Sequence, residues 1–351
     1  MNPKFLTLLC CPTSGADLTL NVDEVFDDGS VRTGTLVCLG EGCTYPVVRG
    51  IPRFLSEEFY ADSFGYEWRR WSRVQFESEN AGRRMAGHTR EMFEAMTDFA
   101  SDELENRVVV EFGCGPGRFL EIVRDRGGVA VGIDMSMAVE SAKENFFGDP
   151  DVLIVQGDIL RPPFKGASFD AGFTIGVLHH TPDPPAGLYQ LARVVKAGGR
   201  VACHVYPKDD FYDYRSVAVY RRANRATRRL LGNKPALVYS YFSAYVLYHL
   251  LSVLKRTPRG RALAALLEKN VLVNMNQPDP AWRVLNVFDA ITPAYASTHT
   301  SEEVHSWFEW ANCRDISRRP CGKTTFVGVK GDEKSAPDAR ALTGSGVSDE
   351  R

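Results

Sequence analysis

The residues best suited to chemistry stand in the run Arg107 to Gly117, RVVVEFGCGPG. An apolar stretch from Val108 to Val110 breaks into Gly113, Gly115 and Gly117 just ahead of a helix expected from about Arg118. Glycines there let the backbone turn sharply and approach a ligand, while the first N–H groups of the helix face it, as in a nucleotide-type site. A second apolar run, Val129 to Ile133, ends in Asp134, 21 residues beyond Gly113, where a carboxylate can accept both hydroxyl protons of a ribose. A third, Val152 to Val155, leads into Gln156, Gly157 and Asp158, and a fourth, Ser168 to Ile175, into GVLHHTPDP. His179 and His180 on that last loop titrate near neutral pH, so either can take a proton from a hydroxyl or amine; the plainer role is to shape the loop. Plainer roles also exist for Asp134 as a strand-end carboxylate, Asp158 as a turn former and Cys114 as a small packing residue.

These residues need strands to carry them. From Arg107 to Tyr206 apolar runs alternate with helix-like segments, the pattern of a parallel α/β sheet. The chain has 351 residues, 44% hydrophobic and 25% charged, which excludes global disorder, a collagen-like chain and a disulfide mini-protein. Its net charge of −2 excludes a protein built wholesale for polyanions. The apolar stretch Phe5 to Leu9 is too short for a secretory signal, so a cytoplasmic protein is expected. Four of the eight cysteines fall within the first 43 residues, and in a reducing compartment such a cluster points to metal sooner than to disulfides.

The texture divides the chain into a small β-rich module over 1–56, an aromatic helical segment over 57–100, the α/β domain over 101–206 with 278–331, a helical insert over 207–277, and a disordered tail over 332–351. Between Lys208 and Gln277 stand 13 basic and four acidic residues, leaving the rest of the chain at −11. Pro235 to Leu254 runs 20 residues without Asp, Glu, Lys or Arg and carries Tyr239, Tyr241, Tyr245 and Tyr248. Three readings fit that run: a lid helix pair over the active site, an interfacial membrane helix, or a true span. Thr300 with Glu303 forms a capping box that starts a helix carrying Val304, Trp307 and Phe308.

The spacing G-x-G-x-G, with Arg118 where a dinucleotide motif needs a third glycine, together with Asp134, Asp158 and VLHHTPDP, resembles the class I S-adenosylmethionine-dependent methyltransferases. The resemblance implies a Rossmann-like seven-stranded sheet with its last strand antiparallel and the cofactor across the strands' C-terminal edge. It implies that Glu111, Gly113, Cys114, Gly115 and Gly117 line the methionine portion, that Asp134 binds the ribose, that Met135 packs on adenine, and that Asp158 with Ile159 holds the adenine edge. His179 and His180 become the candidate bases. In related enzymes an F-G-x-x-W segment, here Phe64 to Trp68, folds over the active-site edge, which makes Tyr66 and Trp68 acceptor-side candidates alongside Asp289, Tyr295 and His299.

The first 56 residues resemble the zinc-ribbon domain of the tRNA-methyltransferase activator family. Cys11-Pro12, Cys38, Tyr45-Pro46 and Gly50-Ile51-Pro52 fit its pattern, whereas Ser14 and Glu41 replace the second cysteine of each pair. Zinc on Cys11, Cys38 and Cys43 and a metal-free relic are therefore both open. The expected activity is methyl transfer from S-adenosylmethionine to a small-molecule or lipid-like, anionic acceptor under a basic lid, with membrane contact through 208–277. An rRNA or tRNA methyltransferase and a non-catalytic cofactor-binding partner of another enzyme are the alternatives.

Overall fold

The computed structural model describes residues 1–55, 62–100, 103–209, 215–270, 277–293 and 296–332. The expected tail beyond Asp332 lies outside them. The N-terminal module is an antiparallel meander of β1 (Leu18–Val25), β2 (Val31–Cys38), β3 (Thr44–Val48) and β4 (Ile51–Pro52). It is sewn to the rest of the chain. The Phe54 amide donates to the Gln156 carbonyl at 2.8 Å, the Cys10 amide to the Pro163 carbonyl at 3.0 Å, and Leu9 pairs with Phe164. Phe5, Leu9, Leu36 and Phe54 share one buried core with Ile159 and Phe164, so the module closes an edge of the main domain.

That domain holds β5 (Val108–Phe112), α4 (Arg118–Asp125), β6 (Val129–Asp134), α5 (Ala138–Asn145), β7 (Val152–Gln156), β8 (Phe169–Ile175), α6 (Pro184–Val194) and β9 (Val195–His204). The chain returns through α12 (Ser301–Trp310), β10 (Cys313–Arg318) and β11 (Thr325–Lys330). The seven strands run in the order β10-β11-β9-β8-β5-β6-β7, parallel from β9 to β7, with β11 antiparallel to both its neighbours. Both faces are covered, which is why β5 to β8 read as near-continuous apolar runs rather than alternating ones. α12 begins at the expected capping box: the Glu303 amide donates to Thr300 Oγ1 at 3.2 Å and the Thr300 amide to the Glu303 carboxylate at 2.9 Å. β9 starts directly after α6, five residues earlier than the apolar run Arg200 to Tyr206 suggested, because Lys196 to Gly199 continue the strand as an irregular, largely exposed stretch between the Phe169–Val195 and Ala171–Arg200 pairs.

Between module and domain lie α1 (Asp62–Arg70), α2 (Glu77–Asn80) and α3 (His88–Thr97). Phe93 of α3 packs edge-on against Phe99 and Phe173, with Phe119 tilted beside it, fixing this segment on one face of the sheet. The insert comprises α7 (Arg215–Leu231), α8 (Lys234–Tyr241), a wide π turn (Phe242–Leu247), α9 (Tyr248–Leu254) and α10 (Pro258–Asn270). α7, α8 and the π turn pack on α11 (Pro280–Ile291), whose Val284, Leu285, Phe288 and Ile291 join Trp71, Val217, Ala236 and Ala244 in a separate apolar cluster. α11 thus stands between the insert and the sheet edge.

Candidate active site

At the C-terminal ends of β5, β6, β8 and β9 the chain encloses a cavity of about 290 Å3, the lower end of the size usual for small-ligand pockets. Its floor is the glycine loop. Gly113, Gly115 and Gly117 all take positive φ, and a Cβ on Gly113 would fall 2.4 Å from both methyls of Val177, so only glycine fits where the loops after β5 and β8 interlock. Asp134, at the end of β6, ties this loop down: its Oδ2 accepts from the Gly115 amide at 2.9 Å, and its Oδ1 from the Ser136 amide and hydroxyl at 2.8 and 2.7 Å. Burial holds the Asp134 carboxyl above its ordinary range despite those donors.

Glu111, on the last turn of β5, is 3% exposed and its Oε2 meets no partner among the described residues. Burial pushes its carboxyl well up, against the pull of Arg118. Such an orphan acceptor suits a ligand ammonium. Cys114, Met135 and Ile159 also line the cavity. Asp158 does not reach it: its carboxylate accepts from the Leu160 amide at 2.9 Å and its carbonyl from the Arg161 amide at 3.0 Å, so it forms the turn and leaves the wall to Ile159. The glycine cradle, which lets a ligand approach the backbone closely, and the acceptor oxygens of Asp134 and Glu111 suit the ribose hydroxyls and the ammonium of an adenosyl group with an amino-acid tail, so these residues fit S-adenosylmethionine.

The opposite wall comes from elements that motif reasoning did not single out. Glu67 of α1 is fully buried, and neither carboxylate oxygen finds a partner among the described residues. Burial and then the neighbouring Asp289 push its carboxyl well above the ordinary range, with Arg118 opposing. Asp289 of α11 accepts the Tyr206 hydroxyl at 3.1 Å. Arg118 opens α4 inside this acidic ring and donates to the Gln75 side-chain carbonyl at 2.6 Å; burial lowers it to about 10. The lining therefore carries four carboxylates, Glu67, Glu111, Asp134 and Asp289, against one guanidinium, Arg118. The only signal for Glu67 was its place inside F-G-x-x-W; Arg118 was noticed as a missing glycine.

His180 lines the cavity and His179 does not. His179 is buried behind it, its ring 3.6 Å from that of Tyr206 and its Nδ1 accepting the Tyr206 amide at 3.3 Å. Burial drives His179 well below its ordinary range, so it stays neutral and shapes the loop. Trp68 lies over the glycine loop, its Nε1 3.2 Å from where a Gly115 Cβ would stand, and Trp282 of α11 lines the other side. His299 sits outside the cavity, bonded to Ser297 Oγ at 2.8 Å and 3.4 Å from Glu303. The side chain of Tyr66 and the whole of Tyr295 lie outside the described residues.

Two expectations change. Among the described residues no group of three or more His, Cys, Asp or Glu is placed to hold a metal ion. Cys11, Cys38 and Cys43 turn to other partners: Cys11 Sγ lies 3.2 Å from the Tyr45 hydroxyl, Cys38 Sγ 3.5 Å from Ser14 Oγ, and Cys43 Sγ toward Glu41. Ser14 and Glu41 thus occupy the positions of the second cysteines in more than sequence. The insert, in turn, brings none of its described Arg or Lys side chains to the cavity, which it touches through Gln277.

Residues 110–203 match the methyltransferase domain family. Over 101 residues the chain is 33% identical to a ubiquinone biosynthesis O-methyltransferase of Alkalilimnicola ehrlichii, covering 28% of this chain and 41% of that one. A demethylmenaquinone methyltransferase of Corynebacterium kroppenstedtii is 36% identical over 26% of this chain and 39% of its own. A tRNA U34 carboxymethyltransferase of Pseudoalteromonas atlantica is 32% identical over 28% and 31%. The chain spans less than half the length of these relatives. A solved complex of the Haloferax volcanii Trm112 methyltransferase activator with a putative methyltransferase aligns at 26% identity over 46% of this chain and 75% of that one, with a TM-score of 0.35. Residues 110–203, the part of the chain that matches the methyltransferase domain family, hold the five parallel strands and the glycine loop.

Proposed function

We propose that the protein transfers the methyl group of S-adenosylmethionine to a hydroxyl or amine of a small, lipid-like acceptor. The observation that carries this reading is the two-walled cavity, with Glu111, the glycine loop and Asp134 on one side and Glu67, Asp289, His180 and Trp282 on the other. When bound, the cofactor supplies a methyl group already activated by its sulfonium. The chain's own residues have modest tasks: to align the acceptor, exclude water and receive a proton. Trp68 and Trp282 cover the cavity and keep water out. Tyr206 fixes Asp289 through its hydroxyl, and Glu67, once ionised, and His180 line the cavity where a base must receive the acceptor's proton.

The acidic lining speaks against the anionic acceptor expected from the insert's charge. An anion at the reacting end would meet Asp289, and Glu67 once it ionises, with Arg118 alone to offset them, and like charges in a buried site are costly. A neutral or cationic protic group is the better partner. The similarity to a ubiquinone biosynthesis O-methyltransferase and a demethylmenaquinone methyltransferase supports a lipid-like acceptor, and the similarity to a tRNA U34 carboxymethyltransferase supports the second reading, nucleic acid, for which the arginines of α7 would supply phosphate contacts. The complete cofactor wall favours catalysis over a non-catalytic binding role. Methyl-labelled S-adenosylmethionine incubated with the protein and, separately, total lipid extract and total RNA tests this. Label in the organic phase supports the proposal, label in RNA replaces it with the second reading, and label in neither with cofactor bound supports the non-catalytic one.

A further inference from the structure

α8, the π turn and α9 form one continuous helix from Lys234 to Leu254, 21 residues long and with 22% of its most apolar window buried. Its inner face carries Ala236, Ser240, Ser243, Ala244 and Leu251, all buried, against α11 and α10. Its outer face is the apolar one. Val238, Phe242, Val246, Leu250 and Val253 recur three or four residues apart, with Tyr245 beside Val246, and all six are 46–69% exposed, a stripe of about 22 Å at 1.5 Å per residue. No Asp, Glu, Lys or Arg interrupts it between Lys234 and Lys255. Water-soluble surfaces rarely leave so long a run of large apolar side chains uncovered.

The charges around the stripe are of one sign. Residues 215–270 hold twelve Lys and Arg and a single acid, Glu268, whose carboxylate is already paired with Lys255 at 2.5 Å. Arg222, Arg225 and Arg229 of α7 are exposed, and α7 ends at Leu230 and Leu231, 87% and 53% exposed, at the corner where the long helix begins. Lys255, Arg256, Arg259 and Arg261 mark the other end. We propose that this face docks on a bilayer containing anionic phospholipid, with the stripe seated among the acyl chains and the flanking cations on the headgroups. The like charge of two such faces opposes pairing with a second copy.

The helix lies in the interface and does not cross it, because its inner face is fastened to the body. The Arg283 guanidinium of α11 rests 3.6 Å from the centre of the Tyr248 ring and its Nε donates to the Ala244 carbonyl at 3.2 Å. Crossing the bilayer would strip both contacts from a buried cation. The other side of α11 presents Trp282, Leu285, Asn286 and Asp289 to the cavity, so the docked face lies one helix away from the acceptor site. Docking stands independently of the methyl-transfer reading, and its test reads binding alone.

The full chain is floated with phosphatidylcholine vesicles containing either no phosphatidylglycerol or about a third of it. Docking predicts flotation with the anionic vesicles, weakened by raising the salt, and loss of partitioning by about tenfold or more in the Val246→Glu/Leu250→Glu protein, whose S-adenosylhomocysteine affinity stays unchanged. As a second readout, Phe242→Trp adds emission that is quenched by lipids brominated on the acyl chain. Equal flotation of the double variant, no flotation at low salt, or a concentration-dependent dimer abolished by the double variant without vesicle binding would each overturn the proposal.

Discussion

Gly113→Ala tests the interlock between the two loops that build the site. Alanine at this position must hold φ near +75°, which costs an L-residue about 1–2 kcal/mol. Its Cβ would also stand 2.4 Å from both Val177 methyls, an overlap that in packed interiors costs about 1–3 kcal/mol. Val177 is half-buried on the cavity wall, so it can yield by moving into the cavity, which places the total near the lower end, about 2–3 kcal/mol, and takes space from the cofactor. Gly148 isolates the backbone share: its φ is +80° and a Cβ there meets nothing within 4 Å, so Gly148→Ala loses only about 1–2 kcal/mol. Urea unfolding of both variants, with Gly113→Ala/Val177→Ala as the steric rescue, separates the contributions. Rescue is partial: Val177→Ala removes both methyls but leaves its Cβ 2.9 Å from the added one, so the double variant falls between Gly113→Ala and Gly148→Ala. If Gly113→Ala unfolds at the same urea concentration as Gly148→Ala, or Val177→Ala rescues nothing, the interlock is wrong.

Two further substitutions probe the acceptor wall. Glu67 has its folded-state pKa raised, so its contribution is fully present below the ordinary glutamate value of 4.5 and is lost as pH climbs through the folded value. Glu67→Gln, which cannot titrate, gains on the wild type by up to about 1.4 kcal/mol per pH unit between 4.5 and the raised folded value, and no more above it; parallel stability curves from pH 4 to 8 would show that the carboxyl ionises freely. Trp68→Ala opens the cavity over Gly115 and weakens S-adenosylhomocysteine by about tenfold, the value of one buried aromatic contact of roughly 1–1.5 kcal/mol; unchanged calorimetric affinity would remove α1 from the cofactor site.

The glycine loop, Asp134 and the sheet were legible because each is enforced locally: an apolar run must be buried, a positive φ calls for glycine, and a strand-end carboxylate falls at a fixed distance along a βαβ unit. Asp158 is ambiguous because a turn former and a ligand look alike in sequence; the choice depends on whether the side chain turns inward, and here the Leu160 amide engages one carboxylate oxygen. Glu67 was invisible for the opposite reason. A glutamate on a short, charged helix reads as a solvated face until α11 and α4 close around it. The insert's charge was countable, but not its direction: α11 stands between the arginines and the cavity, and the same packing turns the apolar stripe outward. The cysteine cluster left zinc and a metal-free relic both open, because tetrahedral sulfur geometry is a tertiary property; among the described residues no three such side chains are placed to hold an ion, and Ser14 and Glu41 face Cys38 and Cys43 instead.

The account rests on Asp134 holding the cofactor's ribose beside the glycine loop, and calorimetric titration of the wild type and Asp134→Asn with S-adenosylhomocysteine tests it most directly. Asparagine keeps the size of the side chain and an oxygen for the Gly115 amide, but turns its NH2 toward the Ser136 amide and loses the charge that strengthens bonds from two ribose hydroxyls, so a melting curve of the variant accompanies the titration. At about 1.5 kcal/mol for each charge-assisted bond, the account predicts binding by the wild type and a loss of roughly 100-fold in the variant. Equal affinity in the two proteins, or a wild type that does not bind, would contradict it.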